Sequence, residues 1–176
     1  KKFMYIAVFS MLANGVSLLG QYGDIFILDK FCSDREQIGF YSLATIFLTG
    51  AMQVTGTVQS IVTPYFSEHS TDRRWVYSQL IKNQIRMMAL GTGVAIGIYF
   101  FCYYFIPWFY GHDYAITLLY LKILLLKYVI YSSYAITGVC LVGLGLMKYN
   151  FGVVLISTPV SLFLSYLLLR DYGVIG

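Results

Sequence analysis

Five long runs without a single charged residue constrain this chain more than any other feature. They cover residues 3–23, 37–67, 87–111, 128–147 and 149–169, and each is at least 20 residues long. A helix of about 20 apolar residues can cross the hydrocarbon core of a bilayer. Strands of an open sheet cannot satisfy their backbone hydrogen bonds in lipid, and the runs lack the alternation that a barrel requires. The runs therefore predict an all-α integral membrane protein with about five transmembrane helices.

The composition agrees with a membrane protein. The chain is 59% hydrophobic and 11% charged, whereas soluble domains average about 45–50% and about 25%. This balance excludes a disordered chain, a disulfide scaffold and a typical cytosolic enzyme. The net charge of +4 is spread over the loops, so we expect no nucleic-acid partner. Cys32, Cys102 and Cys140 show no metal-binding spacing, and we expect neither a metal ion nor a cofactor.

Charged and capping residues at the ends of the runs set the limits of the predicted spans, at about 3–28, 37–64, 87–110, 114–144 and 149–170. Between the second and third spans, residues 72–86 mix basic and apolar side chains. Trp75, Leu80, Ile81 and Ile85 can face lipid while the basic residues face water, which predicts a helix lying in the cytoplasmic membrane surface. A solvated basic connector fits this segment equally well.

Lys and Arg residues are distributed unequally between the two sides of the predicted bundle. The side with the amino terminus, loop 65–86 and Lys148 carries seven, and the other side carries three. Because short cytoplasmic loops are enriched in Lys and Arg, the first side is predicted to be cytoplasmic. We expect residues 1–176 to form one transmembrane bundle. We also expect a longer parent protein, since the sequence lacks an initial Met and stops just after an apolar helix.

Polar residues at hydrocarbon depth are costly and therefore mark candidate functional positions. On the first predicted helix, spacings of three and four residues place five of them on one face: Ser10, Asn14, Ser17, Gln21 and Asp24. The second helix repeats the pattern at Ser42, Thr45, Thr49, Gln53, Gly56, Ser60 and Thr63. Helix–helix packing explains most of the Ser, Thr and Gly members. Asn14, Gln21 and Gln53 are left as candidate substrate contacts.

Asp24, Lys122 and Lys127 are the charged residues within these helices. Lys127 lies about 20 Å deep, measured along the predicted helix from its outer end, on one face with Tyr120, Tyr131 and Tyr134. It either lines a water-filled cavity or belongs to a buried structural ion pair. Lys122 and Asp24 are shallower and can snorkel. We expect Lys127, Lys122 and Tyr131 to bind substrate and Asp24 to bind a cation or proton. With no nucleophile–base pair visible, we expect no catalytic residue and no enzyme.

Several short motifs follow one another in a set order. They are Asp24–Leu28, Ile38–Ala44, Ser60–Glu68, Tyr110–Ala115, Gly143–Gly145, Lys148–Asn150 and Tyr172–Gly173. This order resembles the second half of an oligosaccharide flippase of the polysaccharide-biosynthesis (O-antigen or capsule exporter) family. That family belongs to the multidrug/oligosaccharidyl-lipid/polysaccharide exporter superfamily, and the resemblance covers essentially the whole chain.

The resemblance implies two helical bundles around a central cavity that opens to alternate sides. This chain would form most of the carboxy-terminal bundle, from the seventh to the eleventh helix. It would export an undecaprenyl-diphosphate-linked oligosaccharide across the bacterial inner membrane, driven by a proton or sodium ion. Membrane lipid and a glycan polymerase of the same pathway would be its partners. From the depth and charge of Lys127 we expect it to hold the diphosphate or an acidic sugar, with Tyr131 stacking on the glycan.

Two other classes of function stay open from the sequence. A multidrug/cation antiporter or a lipid II flippase of the same superfamily shares the implied fold. A membrane-embedded glycosyl polymerase or acyltransferase would act in the same pathways. Such enzymes usually need charged or His clusters in a sizeable outer loop, whereas the outer connections here, 29–36 and 109–114, are short.

Overall fold

The computed structural model describes residues 2–31 and 35–172, and the described backbone is almost entirely helical. The elements are α1 (Lys2–Phe31), α2 (Arg35–Glu68), α3 (Arg73–Tyr110), a 3-10 turn (His112–Ala115), α4 (Ile116–Gly143) and α5 (Met147–Tyr172). No strand occurs in these described ranges, and the predicted all-α class is confirmed.

Four of the helical segments are long and apolar enough to cross a membrane, within the part of the chain that the structure describes. They are Arg35–Glu68, Arg73–Tyr110, His112–Gly143 and Met147–Leu167. In α1 the described apolar segment is the shorter stretch Ala7–Gly20. Helices of this length and composition are those of a multi-pass membrane protein.

The connection between α2 and α3 differs from the sequence interpretation. Residues 72–86 are not a separate element, because α3 runs without interruption from Arg73 to Tyr110. Asp72 caps the helix by accepting hydrogen bonds from the backbone N–H groups of Arg74 and Trp75, each 3.1 Å long. The expectation that Trp75 and Leu80 face lipid is wrong, since both pack against the buried core that α2, α3 and α4 share.

The opposite end of α3 is closed by a glycine. Gly111 adopts a φ of 93°, a left-handed value that L side chains disfavour, and the chain leaves the helix there. The 3-10 turn His112–Ala115 follows and leads directly into α4. His112 and Asp113 are both exposed in this turn.

The chain divides into two units. The first comprises residues 1–39 and 145–176, and the second comprises residues 40–144. In the second unit α2, α3 and α4 surround a continuous core, in which the largest fully buried side chains include Phe66, Met87, Tyr128 and Ile136.

In the first unit α1 packs along α5, and the described contacts include small residues and a pair of aromatic rings. A Cβ added at Gly20 would lie 3.0 Å from the side chain of Thr158. The rings of Phe9 and Phe151 meet edge to face, 5.6 Å apart. Ala13 is the one buried hydrophobic residue among the described side chains of this unit. Most of the described surface of α1 and α5 is therefore uncovered within the unit.

Candidate functional site

The inward face of α4 is joined to α2 by a hydrogen bond between two fully buried side chains. The hydroxyls of Thr55 and Tyr128 lie 2.8 Å apart, and both residues are 0% exposed. Each hydroxyl satisfies the other where no water is needed, which matters because an unpaired buried polar group is destabilising. This bond fixes the middle of α4 against α2.

Two glutamine side chains, which we call the amide pair (Gln59 of α2 and Gln84 of α3), reach the backbone of α4 about two turns further along. Gln59 Nε2 donates to the carbonyl oxygen of Ala135 at 3.0 Å. Gln84 Nε2 donates to the carbonyl oxygen of Ser133. A helical carbonyl has a second lone pair free for such a bond. The amide pair therefore ties α4 to both neighbouring helices without breaking its own ladder.

Close packing accompanies these bonds on the α3 side. Gly91 is buried against Ser132, and an added Cβ at this position would overlap the Ser132 side chain. Ser132 Oγ donates to the carbonyl oxygen of Val129 at 2.8 Å, which holds that side chain in place. Glycine at position 91 thus allows α3 and α4 to approach more closely than any larger residue would permit.

The outward face of α4, which carries Lys127 and Tyr134, is exposed. Tyr131 lies between the two faces: its ring meets that of Tyr134 edge to face at 5.6 Å, and it also packs against the buried core. We call Lys127, Tyr131 and Tyr134 the outward site. Tyr120 was expected on the same face, but it is buried, with its ring 6.2 Å from that of Tyr41 on α2.

The other predicted site residues are distributed over α1, α2 and α4. Lys122 is exposed on α4, about 140° around the helix axis from Lys127 at about 100° per residue. Gln53 is exposed on α2, and Asn14 is exposed on α1, in the other unit. The side chains of Gln21 and Asp24 lie outside the described ones. Of the predicted set, Lys122, Lys127 and Tyr131 share α4, whereas Asn14, Gln21 and Asp24 share α1.

The polar stripe of α2 bonds within its own helix. The hydroxyls of Thr45, Thr49 and Thr63 each donate to the carbonyl oxygen four residues earlier, and Ser60 donates to that of Thr57. The interhelical bonds use Thr55 and Gln59 instead, which sequence reasoning missed. A signal for Thr55 was present, because it continues the buried series Ala44, Leu48 and Ala51 at helical spacing.

The His, Cys, Asp and Glu side chains of the described residues are dispersed. No group of three His, Cys, Asp or Glu side chains among them could hold a metal ion. Cys102 and Cys140 are buried free thiols on different helices. The outward site of α4 offers the ammonium group of Lys127 and the phenol rings of Tyr131 and Tyr134.

Comparison with known proteins gives one match. A family model described as polysaccharide biosynthesis protein matches residues 1–119. Neither the curated proteins nor the solved structures contain a match. The matched segment spans α1, α2, α3 and the first turn of α4, and it ends before Lys122 and Lys127.

Proposed function

Because this chain belongs to the polysaccharide biosynthesis protein family, we propose that it moves an undecaprenyl-diphosphate-linked oligosaccharide across the bacterial inner membrane. The observation that carries this proposal is the family match over residues 1–119. Helices of membrane length support a transporter that passes its substrate between leaflets. On this proposal the protein is a flippase within the exporter superfamily and catalyses no covalent step.

The substrate suits the chemistry of the outward site. The ammonium group of Lys127 can donate charge-assisted hydrogen bonds to a diphosphate, and these are strong where water is scarce. The rings of Tyr131 and Tyr134 offer apolar faces with hydroxyl groups at their edges, as sugar rings require. Lys122, Gln53, Asn14 and Gln21 are proposed as further polar contacts along the path of the glycan.

The energy source in this proposal is a proton or sodium ion moving the opposite way. Asp24 is its proposed binding residue, because a carboxylate on a membrane helix can take up either cation. The proposed partners are membrane lipid and a glycan polymerase that uses the exported oligosaccharide.

The proposal is tested in a host from which the gene of the intact protein has been deleted. We expect lipid-linked oligosaccharide to accumulate at the inner leaflet while surface polysaccharide is lost, and the restored gene to reverse both. If the protein were a polymerase, its deletion would instead leave exported single repeats at the outer leaflet. A multidrug antiporter would leave the polysaccharide unchanged and raise drug sensitivity on deletion. Either of these two results would overturn the flippase proposal.

A further inference from the structure

The first part of α3 carries an excess of positive charge at its surface. Four basic residues lie on this helix, and no Asp or Glu occurs between residues 73 and 110. The four are all exposed: Arg73, Arg74, Lys82 and Arg86. A basic surface on a membrane helix attracts the anionic phosphates of lipids.

The continuity of α3 places two of these cations at a particular depth. Exposed aromatic residues, among them Trp108 and Phe109, mark the other end of the helix, as is typical of a membrane–water interface. Arg86 lies 22 residues before Trp108, about 33 Å along a helix axis. The hydrocarbon core is about 30 Å thick. Arg86, and Lys82 one turn beyond it, therefore reach the lipid phosphates of the opposite leaflet.

The other two cations lie well beyond that level. Arg74 precedes Arg86 by 12 residues, which is about 18 Å further along the axis. Arg73 and Arg74 thus have the same charge as the deeper pair but lie outside the phosphate layer. They are a matched control that the chain itself supplies.

The inward packing of this segment determines which side chains point outward. Trp75, Leu80 and Met87 belong to or pack against the core, and Gln84 bonds to α4. Val76 is buried as well, whereas four other apolar side chains of the segment are exposed: Tyr77, Ile81, Ile85 and Met88. Lys82 and Arg86 follow Ile81 and Ile85 directly in sequence, and the two cations are four residues apart. Their side chains therefore neighbour each other on the helix surface.

We propose that this surface of α3, formed by Ile81, Lys82, Ile85 and Arg86, binds an anionic phospholipid. The lipid phosphate lies between Lys82 and Arg86, and an acyl chain runs past Leu90, which is exposed one turn after Arg86, towards the bilayer centre. Each component of such a lipid meets its chemical counterpart, with negative charge at the cations and hydrocarbon on the exposed apolar side chains. The inference does not depend on the transported substrate.

The test uses the intact protein in vesicles of phosphatidylcholine with increasing phosphatidylglycerol. Met88→Trp, in a background in which Phe replaces Trp75, Trp108 and any other Trp of the intact protein, provides one fluorescent reporter beside the surface. Brominated phosphatidylglycerol then quenches the reporter according to its local occupancy. We expect clear preference over brominated phosphatidylcholine. Each Lys or Arg at the surface contributes about fivefold, so Lys82→Gln with Arg86→Gln should lower the preference by up to about 30-fold.

Three results would overturn the inference. One is an unchanged preference in the Lys82→Gln/Arg86→Gln protein. The second is an equal or larger loss in the Arg73→Gln/Arg74→Gln protein, which would mean that α3 does not place its cations by depth. The third is loss of the quenching by brominated phosphatidylglycerol when a short-chain prenyl diphosphate is added at low concentration. The surface would then bind the transported lipid and not a phospholipid. Since no transport is measured, failure here leaves the flippase proposal untouched.

Discussion

The two units of the chain hold their helices together by different means. In the second unit, α2, α3 and α4 share a buried core, a buried Thr55–Tyr128 hydrogen bond and the amide pair. In the first unit, α1 and α5 meet through glycines and a single described ring contact. In the most apolar described segment of α5, none of the residues is buried. In the corresponding segment that includes α4, 39% of the residues are buried.

Polar residues therefore have different roles in the two units: in one they stabilise the fold, and in the other they are available for binding. In the second unit, the side chains of Gln59, Gln84 and Thr55 form hydrogen bonds with α4. In the first, Asn14 is exposed on a helix whose described surface is largely uncovered. Substitutions should therefore affect stability strongly on the inward face of α4 and weakly on α1.

The largest expected effect comes from Gly91. Gly91→Ala would place a methyl group against Ser132, and overpacking of this kind costs about 1–3 kcal/mol. Gly93→Ala is the matched control, because an added Cβ there meets nothing within 4 Å. Thermal unfolding of the purified protein should show a lowered midpoint for Gly91→Ala alone. Restoration by Ser132→Gly would identify the overlap as the cause, whereas equal midpoints for both alanine variants would contradict the packing.

The next effect concerns the buried hydroxyl pair. Tyr128→Phe leaves Thr55 without its partner, and such bonds between membrane helices contribute about 0.6 kcal/mol on average and up to about 1.7. Tyr134→Phe removes an exposed hydroxyl from the same helix and should change stability by less than about 0.5 kcal/mol. A double-mutant cycle with Thr55→Val isolates the bond. Additive losses in that cycle would mean that the two hydroxyls do not interact.

The smallest effect is expected in the first unit. Asn14→Leu should shift the free energy of unfolding by no more than about 0.5 kcal/mol, since the side chain is exposed. Gln59→Leu, which removes the bond to Ala135, should destabilise by about 0.6 kcal/mol or more. Equilibrium unfolding in detergent compares the two. A larger loss for Asn14→Leu would mean that α1 is as firmly packed as α2, and the comparison between units would fail.

The sequence predicts the helical class of the fold but not which contacts its polar residues make. Uncharged runs predict membrane helices because charge is excluded from lipid, and the all-α class is confirmed on that ground. Helical spacing also grouped Thr45, Thr49 and Thr63 correctly on one face. It could not show that they bond within α2, because a Thr hydroxyl can reach the carbonyl four residues earlier as easily as a neighbouring helix.

The direction of the α3 apolar residues shows the same limit. The pattern of Trp75, Leu80, Ile81 and Ile85 indicates an amphipathic helix, but a pattern does not distinguish lipid from a neighbouring helix. The structure divides the four: Trp75 and Leu80 turn to the core, while Ile81 and Ile85 remain exposed. Likewise, the grouping of Tyr120 with Lys127 failed because the Tyr120 ring reaches Tyr41.

In the proposed flippase, the inward face of α4 fixes the helix so that its outward face presents Lys127 to a diphosphate. The most direct measurement is surface polysaccharide in the deletion host that carries the intact protein with Lys127→Met. We expect this protein to accumulate normally in the membrane but to export nothing. The Lys127→Arg protein should export in part, and the control Lys148→Met protein should export fully. Normal export by Lys127→Met would contradict the claim, and failure of that protein to accumulate would make Lys127 a structural residue instead.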